Sequence, residues 1–359
     1  MASLQQFKCP SCGGAIEFDS NIQKMRCPYC DTEFDMASIR EMEEELASEG
    51  ADELNWNLDT GNEWQDEEGK DMVVYVCQSC GGEIAADRTT AASSCPFCDN
   101  QVVMTGNLSG ELRPDYVIPF KLDKAAAKEG LFNHFKGKRL LPKVFKDENH
   151  IDEVKGVYVP FWLFDADVNG RIHYRGTRVR KWSTRDFDFI ETSHFDVLRG
   201  GSMAFDMVPV DGSTKMPEEL MESIEPYNYR DNQKFSSAFL AGFVANKYDI
   251  SAKESEDRAN QRIRATTEQA FRNTVQGYAT VTQTSSNIKL SNGQVKYALL
   301  PVWRLNTTWR GKQYVFAMNG QTGKFVGDLP LDKGALARYF ALFTGVISIL
   351  SFVVMWFIG

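Results

Sequence analysis

The chain has no cysteine outside a C-x2-C pair. Its eight cysteines form four such pairs, which leaves none as an isolated nucleophile. Histidine is scarce too: His134, His150, His173 and His194 are dispersed, without the H-x3-H or H-E-x-x-H spacing of common metal sites. MASLQQFKCP reaches the first cysteine with no apolar stretch before it, so the secretory signal pattern is missing and the expected start is cytosolic. A phosphate-binding Walker loop is absent as well. NGQTGKF, Asn319 to Phe325, has Met318 where the first glycine is needed and Phe325 where Ser or Thr is needed, and it reads as a glycine-rich hairpin turn. No nucleophilic triad stands out. Positive charge is in deficit, with 40 Lys and Arg against 49 Asp and Glu, a net charge of −9 that repels phosphate backbones.

The acidic excess is confined to the first third. Residues 41–70 carry twelve acidic side chains and one basic, whereas residues 106–359 carry 34 basic and 28 acidic. From Ser38 to about Leu54 helix formers place Ile39, Met42, Leu46 and Leu54 at apolar spacing, and a loose acidic stretch follows. This segment reads either as a solvated helix and linker or as an acidic docking segment for a basic partner.

The cysteines belong to a duplicated module. Cys9-x2-Cys12-x14-Cys27-x2-Cys30 recurs as Cys77-x2-Cys80-x14-Cys95-x2-Cys98, every ligand displaced by 68 residues. Cytosolic thiols in this pattern are expected as metal thiolates and not disulfides. Four sulfurs at about 2.3 Å form a closed tetrahedron with no position for water or substrate, so the expected role is structural. The expected metal is Zn2+ in two sites, with iron in a rubredoxin-like site as the alternative, because soft S4 tetrahedra suit both. Gly13 and Gly81 are expected to supply the positive φ just after the second cysteine of a knuckle.

At the other end, YFALFTGVISILSFVVMWFI, Tyr339 to Ile358, runs twenty residues without a charge, enough to span a hydrocarbon core of about 30 Å. Lys333 and Arg338 precede it and only Gly359 follows. The positive-inside bias then predicts a single-pass tail anchor with the N-terminal region in the cytosol.

Between these ends the composition shifts toward aromatic and β-branched residues. VNG at Val168 to Gly170 and SNG at Ser291 to Gly293 read as hairpin turns. KGVYVPFW and ALLPVW form an internal repeat in which Pro160, Trp162 and Gly170 recur as Pro301, Trp303 and Gly311, 141 residues on. The repeat predicts two related hairpins, with the prolines at a strand edge or entry and the tryptophans in the core; a ligand groove lined by Trp162, Trp182, Trp303 and Trp309 is the other reading. Helices are expected after Asp123, after Pro217, and from a Ser251/Glu254 capping box to about Val275. The resulting fold class is α+β, a β-rich middle domain with duplicated hairpins. The expected layout is a zinc ribbon over 1–36, an acidic helix and linker over 37–70, a second ribbon over 71–106, the α+β domain over 111–331 and a transmembrane helix over 339–358.

Two further patterns carry chemistry. Asp165 with Asp167, and Asp186 with Asp188, would share a strand face and could hold a cation, though no further oxygen ligands accompany them. The run RIHYRGTRVRKWSTR, Arg171 to Arg185, interleaves basic residues with Tyr174 and Trp182. It suits anionic lipid, nucleic acid or simply a solvated cationic strand face.

The paired CPSCGG/CPYC modules, the VPFW and LPVW segments, VPVDGS at Val208 to Ser213, SIEPYNY at Ser223 to Tyr229, FLAGFVANKYD at Phe239 to Asp249 and NGQTGKFVGDLP at Asn319 to Pro330 together resemble the bacterial YdjG-type family over nearly the whole chain. The resemblance implies membrane proteins of the bacterial cytoplasmic membrane with tandem TFIIB-type zinc ribbons, linked in some members to phage-shock protein A and SPFH-type membrane-stress machinery. It implies no catalytic activity. A helicase label, sometimes given to relatives for their cysteines, does not fit a chain without a Walker loop. The expectation is therefore a non-enzymatic, membrane-tethered scaffold or recruitment factor binding other proteins. The alternatives are a nucleic-acid-binding transcription or replication factor, and a ligand sensor or hydrolase built on the middle domain.

Overall fold

The computed structural model describes residues 9, 14–39, 54–58, 61, 64, 72–87, 90, 94–107, 112–142, 145 and 154–358. They fall into two units: Met1–Leu58 with Phe164–Val208 and Glu256–Val295, and Asp59–Leu163 with Pro209–Ser255 and Lys296–Gly359. Three long strands contribute residues to both.

The described strands are β1 Glu17–Asp19, β2 Lys24–Arg26, β3 Glu33–Phe34, β4 Met72–Cys77, β5 Glu83–Asp87, β6 Val102–Asn107, β7 Tyr116–Val117, β8 Lys155–Ser183, β9 Asp188–Asp211, β10 Gln233–Lys234, β11 Val244–Asn246, β12 Thr280–Trp309, β13 Lys312–Asn319 and β14 Phe325–Gly327. The helices are α1 Lys124–Phe135, α2 Glu218–Ser223, α3 Ala252–Thr274 and α4 Lys333–Ile358, together with two short 3-10 turns. The chain is a mixed α+β protein.

In the larger unit the sheet runs β10-β7-β12-β8-β11-β5-β4-β6, and β13 and β14 extend it from β12. It is mixed: β7 pairs parallel with β12 and β11 parallel with β8, while β4, β5 and β6 pair antiparallel. Residues 157–164 of β8 are buried without alternation, as expected of a strand covered on both faces. Helix α1 starts where Asp123 Oδ1 accepts from Ala126 N at 2.8 Å. Ala127, Leu131 and Phe135, four residues apart, then pack against Trp303, Leu305, Phe316 and Met318.

The internal repeat is visible as matched bonding. Pro160 O accepts from Gly212 N and Pro301 O from Gly320 N, both at 2.9 Å. Trp162 Nε1 donates to Ile250 O at 2.8 Å and Trp303 Nε1 to Leu122 O at 3.0 Å. Both indoles are buried with their only donor satisfied, which makes them core residues and not walls of a groove. The prolines lie inside long strands that have neighbours on both sides, contrary to the expected edge or entry positions, and each still uses its carbonyl.

VNG and SNG are not turns. Both lie inside strands, β8 and β12, and their glycines answer to close approach. A Cβ on Gly170 would come within 2.7 Å of the Phe271 ring, and one on Gly293 within 2.8 Å of Trp56. The turns that join β8 to β9 and β12 to β13 are Thr184 to Phe187, closed by Thr184 N donating to Phe187 O at 2.7 Å, and Arg310–Gly311, where φ is +52° and +75°. The second is the doubly left-handed geometry that suits a two-residue hairpin.

The other unit holds the outer lengths of β8, β9 and β12 with most of α3. Ile263 packs with Ala166, Val168, Ile288 and Leu290, and Val275 with Ile172, Tyr174 and Val197. Helix α3 begins at the expected capping box, with Ser251 N donating to Glu254 Oε2 at 2.7 Å and Glu254 N to Ser251 Oγ at 3.3 Å. Beyond that packing the β8–β9 hairpin projects as a finger in which every residue from 178 to 192 is exposed. Trp182 and Phe189 stack across it at 5.4 Å. The same unit contains the first cysteine module, whose β1–β3 sheet is separate and whose small core consists of its own residues. Residues 36–39 are helical, and 40–53 of the expected acidic helix lie outside the described residues.

Helix α4 is long and apolar enough over Lys333–Phe357 to cross a membrane, and its apolar window is not buried by the fold. Asp332 Oδ1 caps it, accepting from Gly334 N at 2.9 Å and Ala335 N at 3.2 Å.

Candidate metal centres

The sulfurs of Cys77, Cys80, Cys95 and Cys98 lie within 4.8 Å of one another, with Cys77 and Cys98 at 3.4 Å and Cys80 and Cys95 at 3.6 Å. These are not disulfide distances, and a tetrahedron with 2.3 Å metal–sulfur bonds has edges of about 3.8 Å. Cys9, Cys27 and Cys30 form the matching group in the first module, with Cys9 and Cys30 at 3.5 Å. Cys12 lies outside the described residues. The donor sets fit a tetrahedral metal ion that prefers soft sulfur ligands.

Each described pair is folded the same way. The cysteine that opens a pair donates its N–H to the carbonyl five residues on: Cys9 to Gly14, Cys27 to Thr32, Cys77 to Gly82 and Cys95 to Asn100, at 2.7 to 3.0 Å. Its carbonyl accepts from the fourth residue on, and that residue is left-handed: Asp31 at φ +61°, Gly81 at +67° and Asp99 at +62°. Gly81 takes the role expected of it, and Gly13 lies outside the described residues. The aspartates at the equivalent positions were not foreseen. Asp is among the few other residues that tolerate this region, which is the signal that could have found them. The next glycine is needed for packing: a Cβ on Gly14 would fall 2.6 Å from the Tyr29 ring and one on Gly82 2.9 Å from the Phe97 ring.

The second centre is braced by cations from distant segments of its own unit. Arg304, only 4% exposed, donates to Phe97 O at 3.3 Å and Lys215 O at 3.4 Å, with its guanidinium carbon 4.9 Å from the Phe97 ring centre. Lys215 Nζ donates to Cys80 O at 3.1 Å. Lys155 Nζ donates to Cys95 O at 3.2 Å and pairs with the Asp99 carboxylate. Burial brings the Arg304 guanidinium down to about 10, opposed by the charges of Cys95, Asp99, Cys80 and Cys98, so it stays cationic at neutral pH. Burial also raises the Cys95 and Cys80 thiols. At Cys98 burial is outweighed by hydrogen bonds led by that of Asn100, giving about 6; at Cys30 those of Thr32 do the same.

The remaining sequence candidates are dispersed in other roles. Asp165 Oδ1 accepts from Met207 N at 2.6 Å, Asp167 Oδ2 from Asn292 Nδ2 at 2.8 Å, and Asp188 Oδ1 from Ser183 Oγ. His173 is buried near Asp196, His134 lies against Phe325, His194 is exposed, and His150 is outside the described residues. The Arg171–Arg185 run lies on β8 and the turn after it: Tyr174 is buried, Arg178 covers Phe195 and Tyr278, and Arg180, Lys181, Trp182 and Arg185 are exposed on the finger.

No family model matches the chain, and no solved structure does. A protein of Bacillus subtilis (strain 168) described as "Uncharacterized protein YdjG" is 32% identical over 339 residues, which cover 94% of each chain. The chain belongs to the YdjG family. The segments that resemble YdjG proteins turn out to meet in pairs. VPVDGS meets FLAGFVANKYD, where Asn246 Nδ2 donates to Ser213 Oγ, Ser213 N to Asp211 Oδ1 at 3.1 Å and Thr214 N to Asp249 Oδ1 at 2.7 Å. SIEPYNY meets NGQTGKF, where Asn319 Nδ2 donates to Ile224 O at 3.0 Å and Gln321 Oε1 accepts from Asn228 N at 2.7 Å. Tyr227 donates to Pro301 O at 3.2 Å, joining LPVW to this group. Burial lifts Asp211 well above the usual carboxylate range. In this YdjG-family chain these motif residues are internal braces: Ser213, Asn246, Tyr227, Asn319 and Gln321 are all buried.

Proposed function

We propose that the protein is a non-enzymatic, membrane-tethered scaffold whose two zinc ribbons and α+β domain recruit other proteins to the cytosolic face of the bacterial cytoplasmic membrane. The observation that carries this reading is the second cysteine group: its four sulfurs occupy all the positions of a tetrahedral ion, and its surroundings are backbone carbonyls and bracing cations. Such a centre holds a shape and offers no open coordination position to a substrate. Helix α4 supplies the tether. The finger from 178 to 192 supplies a docking surface, with Trp182, Phe187, Phe189 and Ile190 exposed beside Arg180, Lys181 and Arg185. Acidic protein segments and anionic lipid headgroups both suit that surface, and phage-shock protein A or SPFH-type proteins are the partners the family resemblance suggests.

The full chain is expected in the membrane fraction, released by detergent and not by salt or alkaline carbonate, with zinc bound. Native-membrane co-purification is expected to return a defined protein partner, lost on combined Trp182→Ala, Phe187→Ala and Phe189→Ala substitution while the chain stays folded in the membrane. Recovery of nucleic acid without protein would sink the scaffold reading in favour of a nucleic-acid factor. Iron in place of zinc would revise the metal alone.

A further inference from the structure

At the base of α4 lies an open pocket of about 400 Å³ lined by Arg139, Leu140, Leu336, Tyr339, Phe340 and Phe343. Its position follows from local connections. Helix α1 ends at Phe135, the chain turns through Lys136–Leu140, and Leu140 O accepts from Asp332 N at 2.9 Å. Asp332 is the residue that caps α4, so the turn is held against the first turns of the apolar helix. Leu336, Phe340 and Phe343 are spaced four and three residues apart on one face of α4, and all three are exposed. The pocket is thus an apolar wall in which Arg139 is the one charged lining residue.

We propose that this pocket binds one anionic glycerophospholipid, with Arg139 on the headgroup phosphate and an acyl chain along Leu336, Phe340 and Phe343. The proposal rests on the membrane-tether reading and adds a specific ligand to it. Three observations favour lipid over other occupants. The helix forming the wall is the one suited to cross a bilayer, and the pocket lies at the end where its charged residues give way to the apolar run. Tyr339, at that boundary, is a residue type that settles at headgroup depth. Lys136, Lys138, Lys333 and Arg338 add to Arg139 in the turn and at the start of α4, a local positive charge that complements anionic headgroups and not zwitterionic ones. A guanidinium fork matches phosphate oxygens in geometry as well as in charge.

The test uses the full chain purified in mild detergent and supplied with phosphatidylglycerol or phosphatidylcholine, with retained lipid counted by native mass spectrometry. The wild type is expected to keep one phosphatidylglycerol in preference to phosphatidylcholine. Arg139→Gln is expected to weaken that retention about tenfold, the size of one charge-assisted contact. Lys253→Gln, which removes a cation from α3, is expected to leave it unchanged. Equal retention of the two lipids by the wild type, or the same retention in Arg139→Gln, overturns the site. So does ready disulfide dimerisation of Phe340→Cys with no lipid bound, which would assign the face to a second copy of the chain. Failure of the tether reading is separate: the chain would then be missing from the membrane fraction, whatever residue stands at 139.

Discussion

Cys95→Ser is expected to reduce bound metal from two equivalents to one and to lower the melting temperature of the larger unit by about 10 °C or more, the equivalent of several kcal/mol in a unit of this size. Cys27→Ser should remove the same amount of metal with far less effect on that transition. The asymmetry follows from where each centre sits in its own unit. Metal contributes about 10–16 kcal/mol to the folding of isolated zinc-finger peptides, so in either module its loss is locally severe. The core around Cys9 and Cys27 is made of the module's own Ile16, Met25 and Ile39. The second centre instead ends β4 at Cys77 and is continuous through β5 and β11 with β8, and it anchors Lys155, Lys215 and Arg304. Releasing it loosens the edge of the main sheet and frees three cations that were ordered around it. Calorimetry of the full chain with metal analysis of each variant provides the check. Equal losses of melting temperature in the two variants would mean that the second centre is as self-contained as the first.

Arg304→Ala is the second substitution with a large expected effect, about 3–5 kcal/mol, as when one member of a buried charge arrangement is removed. It strips the Phe97 and Lys215 carbonyls of a donor and leaves a space where a guanidinium lay over an aromatic ring. It also removes a positive charge next to a thiolate centre, so chelator competition should show the metal held about tenfold to a hundredfold less tightly, the usual cost of losing an outer partner of a metal ligand. Arg304→Lys should recover part of the affinity through charge and little of the stability, because an ammonium cannot reach both carbonyls with a planar fork. An unchanged chelator midpoint in Arg304→Ala would show that the guanidinium serves packing alone.

Local rules made much of this molecule readable. The 68-residue repeat marks the cysteine groups, Asp123 and the Ser251/Glu254 box start α1 and α3 where capping chemistry places them, and Pro217, which makes no side-chain cap, directly precedes α2. The uncharged run from Tyr339 lies in α4. What local rules missed depends on partners far away in the chain. Gly170 and Gly293 look like turn glycines until Phe271 and Trp56 are seen to press against them from about 100 and 240 residues away. Nothing near Arg304, Lys215 or Lys155 reveals that the second centre will gather them. The family motifs likewise gain their meaning in pairs, since Asn246 has no reason to be buried until Ser213 is beside it.

The exposed finger divides the polypeptide almost at its midpoint, and Arg178, Arg180, Lys181 and Arg185 all lie on its open stretch. Trypsin under native conditions should nick there early, yet the two fragments should stay together, because β8 on the first fragment is hydrogen-bonded to β11 on the second, and β5 also pairs with β11. One break would then give a two-chain protein with both metal centres on one fragment and the apolar helix on the other. The same point is a natural place to express the chain as two separate genes and ask whether the halves find each other.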